Sequence, residues 1–319
     1  MELRTRYGKL FGCVNIEYDT SVGIKGCRFE EENKIFLECA TLVPQYGEEN
    51  VRKKYNQTAS FYPSGALKRI ALEQQTVILS PIGEIPAELI TFYDDGAINR
   101  IFPLNGKLSG FWSEQDEVAL AIPLHFQFGF GDFSAKMISI HFYQSGEVQS
   151  ITLFPGEVIT LHTPVGEIPL RTGFSLYKSG ILKSVEPDQP TLVTTQIGKV
   201  TAFDAGAIGM HADNNSLQFN ESGQVTRIIT STDKIIVQSE GVPLVRIAPI
   251  IRPSSLDEEE SVTIPIEIRF EGDTVFLNNE ETHEFSLKTS SFAIIPNRNT
   301  VCASCSDCSI CGKCASMNH

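Results

Sequence analysis

Five cysteines, Cys302, Cys305, Cys308, Cys311 and Cys314, stand at successive C-x-x-C intervals in the run C-A-S-C-S-D-C-S-I-C-G-K-C. Small and polar residues separate them, so burial in an apolar core does not explain five thiols in thirteen residues. Two intervening residues let a short segment fold back around one ion, and thiolates favour soft metals. The run is therefore the chain's strongest chemical signal, and these five residues form the expected metal site.

The kind of metal stays open. A zinc knuckle usually draws its two C-x-x-C pairs from separated turns. The unbroken C-x-x-C-x-x-C instead resembles the iron–sulfur binding run of bacterial ferredoxins, which implies a cluster held by thiolates. Here no fourth cysteine follows at the x₃ spacing before a proline, and Cys314 continues the same period. A fourth ligand would come from Cys311, Cys314 or a remote cysteine. An iron–sulfur cluster, zinc or copper(I), and a redox-active or modified disordered tail all fit the run.

The other thiols, Cys13, Cys27 and Cys39, fall in or beside short β-rich runs and read as small buried residues. A second constellation is looser. Asp204, His211 and Asp213, with Asn214, lie in the long loop-like excursion F-D-A-G-A-I-G-M-H-A-D-N-N-S. Long loops on rigid β scaffolds often carry function, so an enzyme site near Asp204, His211 and Asp213 is the rival reading. A solvated Asn/Asp turn explains the same residues. His125, His141 and His162 sit in strand-like contexts and read as half-buried strand positions.

Familiar catalytic patterns are missing. The sequence has no serine-nucleophile elbow, zinc-protease pair or phosphate loop. Gly129–Gly131 supplies G-F-G but no third glycine at the dinucleotide spacing, and strand follows where a helix is required.

The elements that must carry these residues come from a repeated phrase. F-Y-P-S-G-A-L-K-R-I from Phe61 returns from Phe92, Phe142, Leu176 and Phe219. An aromatic pair ends one strand, Ser-Gly or Asp-Gly bends the chain, and an apolar-polar-polar-apolar run begins the next. Gly65, Gly96, Gly146, Gly180 and Gly223 occupy the position that needs positive φ, and the oxygen-bearing residue before each can bond nearby amides. A second phrase, P-I-G-E-I-P at Pro81 and P-V-G-E-I-P at Pro164, with Q-I-G-K-V-T at Gln196, reads as the opposite turn of a meander. The expected fold is all-β: an elongated antiparallel β-hairpin repeat, meander- or solenoid-like, with at most one or two short helices.

One helix is predicted over Trp112–Ile122, with Ser113 as its cap, Asp116 three residues on and Pro123 as its stop. The aromatic run H-F-Q-F-G-F-G-D-F after it reads as one alternating strand.

The phrase resembles the repeat of MORN-type and related antitoxin-annotated bacterial proteins, over roughly Phe61 to Ile228. That resemblance implies antiparallel strands in an extended sheet, and an antitoxin-like protein-interaction module as a further alternative. The phrase intervals are uneven, at 31, 50, 34 and 43 residues, and the dense glycines of a MORN unit are missing.

Composition sets the remaining bounds. The chain has 319 residues, 41% of them hydrophobic, and a formal net charge of −13. That charge argues against nucleic acid or an anionic membrane surface as partner and leaves a protein partner. No stretch reads as a signal peptide or a bilayer span, so a cytoplasmic location is expected, where thiols stay reduced. The expected organisation is an N-terminal β segment (1–60), a repeat body (61–251), a β cap (252–299) and a Cys-rich tail (300–319). The expected function is a non-enzymatic binding or scaffold protein with a terminal thiolate metal or iron–sulfur site.

Overall fold

The computed structural model describes residues 1–19, 23–53, 57–207, 212–241, 243–253 and 261–296. Every regular element among them is a strand except one helix, Glu114–Leu120. The fold is all-β, built of hairpins in antiparallel meander sheets. The chain divides into two compact units. The first comprises 1–162, 169–185 and 209–214, and the second 163–168, 186–208 and 215–319.

All five copies of the phrase form the same hairpin. In the first, Gly65 N donates to Tyr62 O (2.8 Å) and Tyr62 N to Ala66 O (2.8 Å), and the pattern repeats at Tyr93, Tyr143, Tyr177 and Asn220. The glycine carries positive φ in every copy, from +79° to +100°, the left-handed residue that closes a three-residue hairpin. Ser64 Oγ accepts from Ala66 N and Asp95 Oδ1 from Ala97 N, the expected local bonds.

A β-bulge follows each turn for which register is known. Phe61 faces Leu67 but Ser60 faces Arg69, which leaves Lys68 as the extra residue. The same shift sets Asn99 apart at Phe92, Gln149 at Phe142 and Thr226 at Phe219. It puts the ninth and tenth residues of the phrase in fixed register with the two residues before it.

That register builds two rows across the first unit. Cys27, Ala59, Ile70, Ile90, Ile101, Ile140, Ile151 and Phe174 pair in succession and are all fully buried. The neighbouring residues Ser60, Arg69, Thr91, Arg100, His141, Ser150 and Ser175 pair in the same succession on the opposite face. The first row is core and the second is polar. In the second unit Leu217, Ile228, Ile268 and Leu277 form the matching apolar row.

Tyrosine hydroxyls fasten one copy to the next. Tyr62 donates to Phe92 O, Tyr93 to Phe142 O and Tyr143 to Leu176 O, each at 2.8 Å. The second phrase also forms turns as expected, and a hydroxyl clasps each: Ser80, Thr163 and Thr195 donate to the carbonyls of Gly83, Gly166 and Gly198 at 2.7 Å. Thr5 and Gly8 make the same clasp at 3.0 Å.

Two readings change. The aromatic run is not one strand but a hairpin, Leu124–Phe128 and Gly131–Ala135, because Gly129 and Phe130 turn the chain. Its Phe128, Phe130 and Phe133 rings meet Phe174 edge-on at 5.6–5.9 Å, covering one end of the apolar row. The helix is shorter than the sequence suggests, although Ser113 and Asp116 form the reciprocal cap as expected. Phe92, the first residue of the second copy, is buried in the core.

Candidate functional site

The candidate site in the first unit lies on the polar row. Arg100 comes from the strand Ile98–Phe102, His141 from Met137–Phe142 and Ser150 from Val148–Leu153, and register sets the three side by side. Asp213 meets them from the loop excursion. Its Oδ1 accepts from Ser150 Oγ (2.6 Å) and His141 Nδ1 (3.0 Å), and its Oδ2 accepts from Arg100 Nη2 (2.7 Å).

Close approach of the excursion requires a glycine. Ala212 N donates to Thr152 Oγ1 at 3.1 Å. Gly173 has φ +133°, and a Cβ there would stand 1.9 Å from Ile151 O and 2.9 Å from the Ala212 Cβ. Glycine thus allows both the backbone conformation and the seat of Ala212.

Burial pushes the Asp213 carboxyl up, but hydrogen bonds from His141, Ser150 and Arg100, with the Arg100 charge, outweigh it and hold the group well below the usual carboxylate range. His141 Nδ1 also lies 2.9 Å from Arg100 Nη2. Its Nε2 lies 3.4 Å from Asn99 Nδ2, and Asn99 Oδ1 accepts from Thr91 Oγ1 (3.0 Å).

Acyl transfer through a nucleophile needs a hydroxyl or thiol on the base nitrogen. Here an amide stands at Nε2, and Ser150 donates to the carboxylate instead. The cluster is a charge-compensated clamp that holds Asp213 to the sheet.

Of the sequence-predicted site residues, Cys302, Cys305, Cys308, Cys311 and Cys314 lie outside the described residues, as does His211. Asp204 belongs to the second unit and accepts from Gly206 N at 2.9 Å, an Asx turn. Asp213 belongs to the first. Among the described residues no group of three or more His, Cys, Asp or Glu side chains could hold a metal ion.

Cys13 and Cys27 are buried, as read from sequence, and Cys39 is half-buried. Burial raises all three thiols, Cys27 to about 12, which disfavours the thiolate that binds metals.

Arg100, His141 and Ser150 belong to no local catalytic motif of the sequence. Their signal is positional: the ninth residue of each phrase (Arg69, Arg100, Ser150, Ser184, Arg227) and the residue before each phrase (Ser60, Thr91, His141, Ser175, Gln218) are polar throughout.

A second charged cluster ties down the helical insertion. Arg52 donates to Glu117 (2.8 Å, twice) and to Glu88 (2.7 and 3.0 Å), while Trp112 Nε1 and Gly106 N each donate to Glu117 at 2.7 Å. Burial opposes the Glu117 charge, but bonds from Arg52, Trp112 and Gly106 overcome it and lower its pKa. Both carboxylates are saturated with donors, so this cluster is structural.

No protein-family model, curated protein or solved structure matches this chain. Among the described residues no helix is long and apolar enough to cross a membrane.

Proposed function

We propose that this protein is a β-repeat scaffold or binding module whose C-terminal thiolates take up a soft metal ion or an iron–sulfur cluster. The observation that carries the reading is the spacing of Cys302, Cys305, Cys308, Cys311 and Cys314, five thiols at a ligand interval in a segment with little apolar content. The side chains of the repeat support it from the other direction. Its tyrosines fasten neighbouring hairpins, and its glycines and hydroxyls shape turns. In this reading the sheet is the rigid body and the tail its chemical end.

The rival, an enzyme in the Asp204–Asp213 loop, draws less support. Asp213 is committed to Arg100, His141 and Ser150, and Asp204 to its own turn.

The test is metal and acid-labile sulfide analysis, with visible absorption, on protein purified without oxygen, beside a chain ending at Asn299. Iron and sulfide lost on truncation make the tail a cluster site, and zinc or copper lost on truncation makes it a thiolate ion site. Equal metal in both chains, or none in either, overturns the proposal.

A further inference from the structure

The tyrosine at the second position of the phrase does the same work in three copies, and the fifth copy lacks it. Tyr62, Tyr93 and Tyr143 each reach the carbonyl of the first residue of the next copy at 2.8 Å. Lys68, the bulge residue, lies 5.5 Å from the centre of the Tyr62 ring, and Lys183 lies 5.7 Å from that of Tyr177. In the fifth copy Asn220 replaces the tyrosine, and Thr226 stands at the bulge position that holds Lys68, Asn99, Gln149 and Lys183 in the others.

Asn220 stays on its own turn. Its Oδ1 accepts from Ser222 N (3.1 Å), Ser222 Oγ (2.7 Å) and Gln224 N (2.9 Å), and its Nδ2 donates to Gln224 Oε1 (3.0 Å). The next strand nevertheless keeps the register that a tyrosine would meet. Arg227 pairs with Arg269 and Ile228 with Ile268, just as Arg69 pairs with Thr91 and Ile70 with Ile90. Phe270 is therefore the counterpart of Phe92.

A groove of about 550 Å³ opens at this place in the second unit. Asn220, Thr226 and Phe270, the counterparts of Tyr62, Lys68 and Phe92, all line it, together with Thr195, Gln224 and Gly272. The lining contains no ionisable side chain. Apolar and amide or hydroxyl groups around a strand end suit a ring with one hydroxyl at its tip.

We propose that this groove is a binding site for a tyrosyl side chain of a protein partner, with its phenolic ring in the place the repeat's own tyrosine leaves open. The phenol donates to the Phe270 carbonyl, as the internal tyrosines donate to those of Phe92, Phe142 and Leu176. The site is in the second unit and stands whether or not the tail binds metal.

The test is backbone amide NMR on the full-length protein during titration with N-acetyl-L-tyrosinamide, N-acetyl-L-phenylalaninamide and p-cresol. Saturable shifts are expected at Asn220, Gly223, Gln224, Thr226 and Gly272. Binding of the tyrosine amide is expected to be about fivefold tighter than that of the phenylalanine amide, the factor one net hydrogen bond supplies. Asn220→Tyr fills the groove, abolishes those shifts and raises Tm.

Tyrosine amide binding tighter than p-cresol supports a polypeptide source. Binding of p-cresol as tight as that of the amide overturns it in favour of free phenols. Absence of shifts, or equal affinity for the phenylalanine amide, overturns the site itself, and this comparison needs no variant to fold.

Discussion

Replacing Tyr62, Tyr93 and Tyr143 with phenylalanine, singly and together, removes three hydroxyls and nothing else. Each hydroxyl donates at 2.8 Å to a main-chain carbonyl in a part-buried setting. One such bond is worth about 1 kcal/mol net. Successive copies stand two strands apart, about 10 Å, so the losses should add to about 3 kcal/mol. The chain's single tryptophan, Trp112, is half-buried in the same unit and reports its unfolding by fluorescence. With an m-value of about 3 kcal/mol/M in urea, the triple variant should lose about 1 M in midpoint at unchanged m. Tyr18→Phe, at a residue 59% exposed, is the control and should leave the midpoint in place. A triple variant that unfolds with the control would refute the fastening role. pH offers a second check. Burial first, then neighbouring carboxylates and tyrosines, raises the Tyr62 and Tyr143 pKa values. The folded state then holds those protons longer than the unfolded chain, whose tyrosines titrate near about 10. Stability from these groups is complete below that pH and falls as pH rises through the folded values, a slope the triple variant should lack.

Gly173→Ala should prevent folding or cost at least about 4 kcal/mol, because its Cβ would overlap Ile151 O at a φ of +133°; soluble yield and urea midpoint read it. Asp213→Ala should cost about 3 kcal/mol, since it leaves Arg100 and His141 without their shared carboxylate. The Asp213 pKa is depressed in the folded state, so its stabilisation is present above about pH 4 and is lost as pH falls through the folded value. Asp213→Asn should accordingly flatten the acid limb of stability against pH, and a limb of unchanged slope would contradict the clamp. Glu117→Gln should cost about 2 kcal/mol and shift Trp112 emission to the blue, because the indole N–H loses its anionic acceptor.

The parts of this fold that were legible in sequence are those decided within a few residues. Ser-Gly between an aromatic pair and an apolar step is a local instruction for a turn, and Ser113 with Asp116 is a local instruction for a helix start. The aromatic run from His125 gives the wrong answer for the same reason. Apolar alternation is identical along one strand and along a hairpin whose tip happens to be Gly129 and Phe130. What distance joins was not legible. Tyr93 meets a carbonyl 49 residues away, and Asp213 meets Ser150 and Arg100 across 63 and 113 residues. The bulge that fixes this register adds one residue after the Phe92 and Phe142 turns, so a period-2 count through the phrase puts Arg100 and Ser150 on the wrong face. Asp213 stood out in the excursion, but its partners are ordinary strand residues until the sheet is assembled.

The thiolate site is the central claim, and metal stoichiometry across cysteine variants tests it most directly. Full-length protein, the pair Cys305→Ser with Cys308→Ser, and Cys39→Ser would be purified without oxygen and their iron, sulfide, zinc and copper measured per chain. The account predicts a fixed metal content in the wild type, its loss in the paired tail variant and its retention in Cys39→Ser. The same metal content in the paired tail variant as in the wild type, or a metal-free wild type, would contradict it.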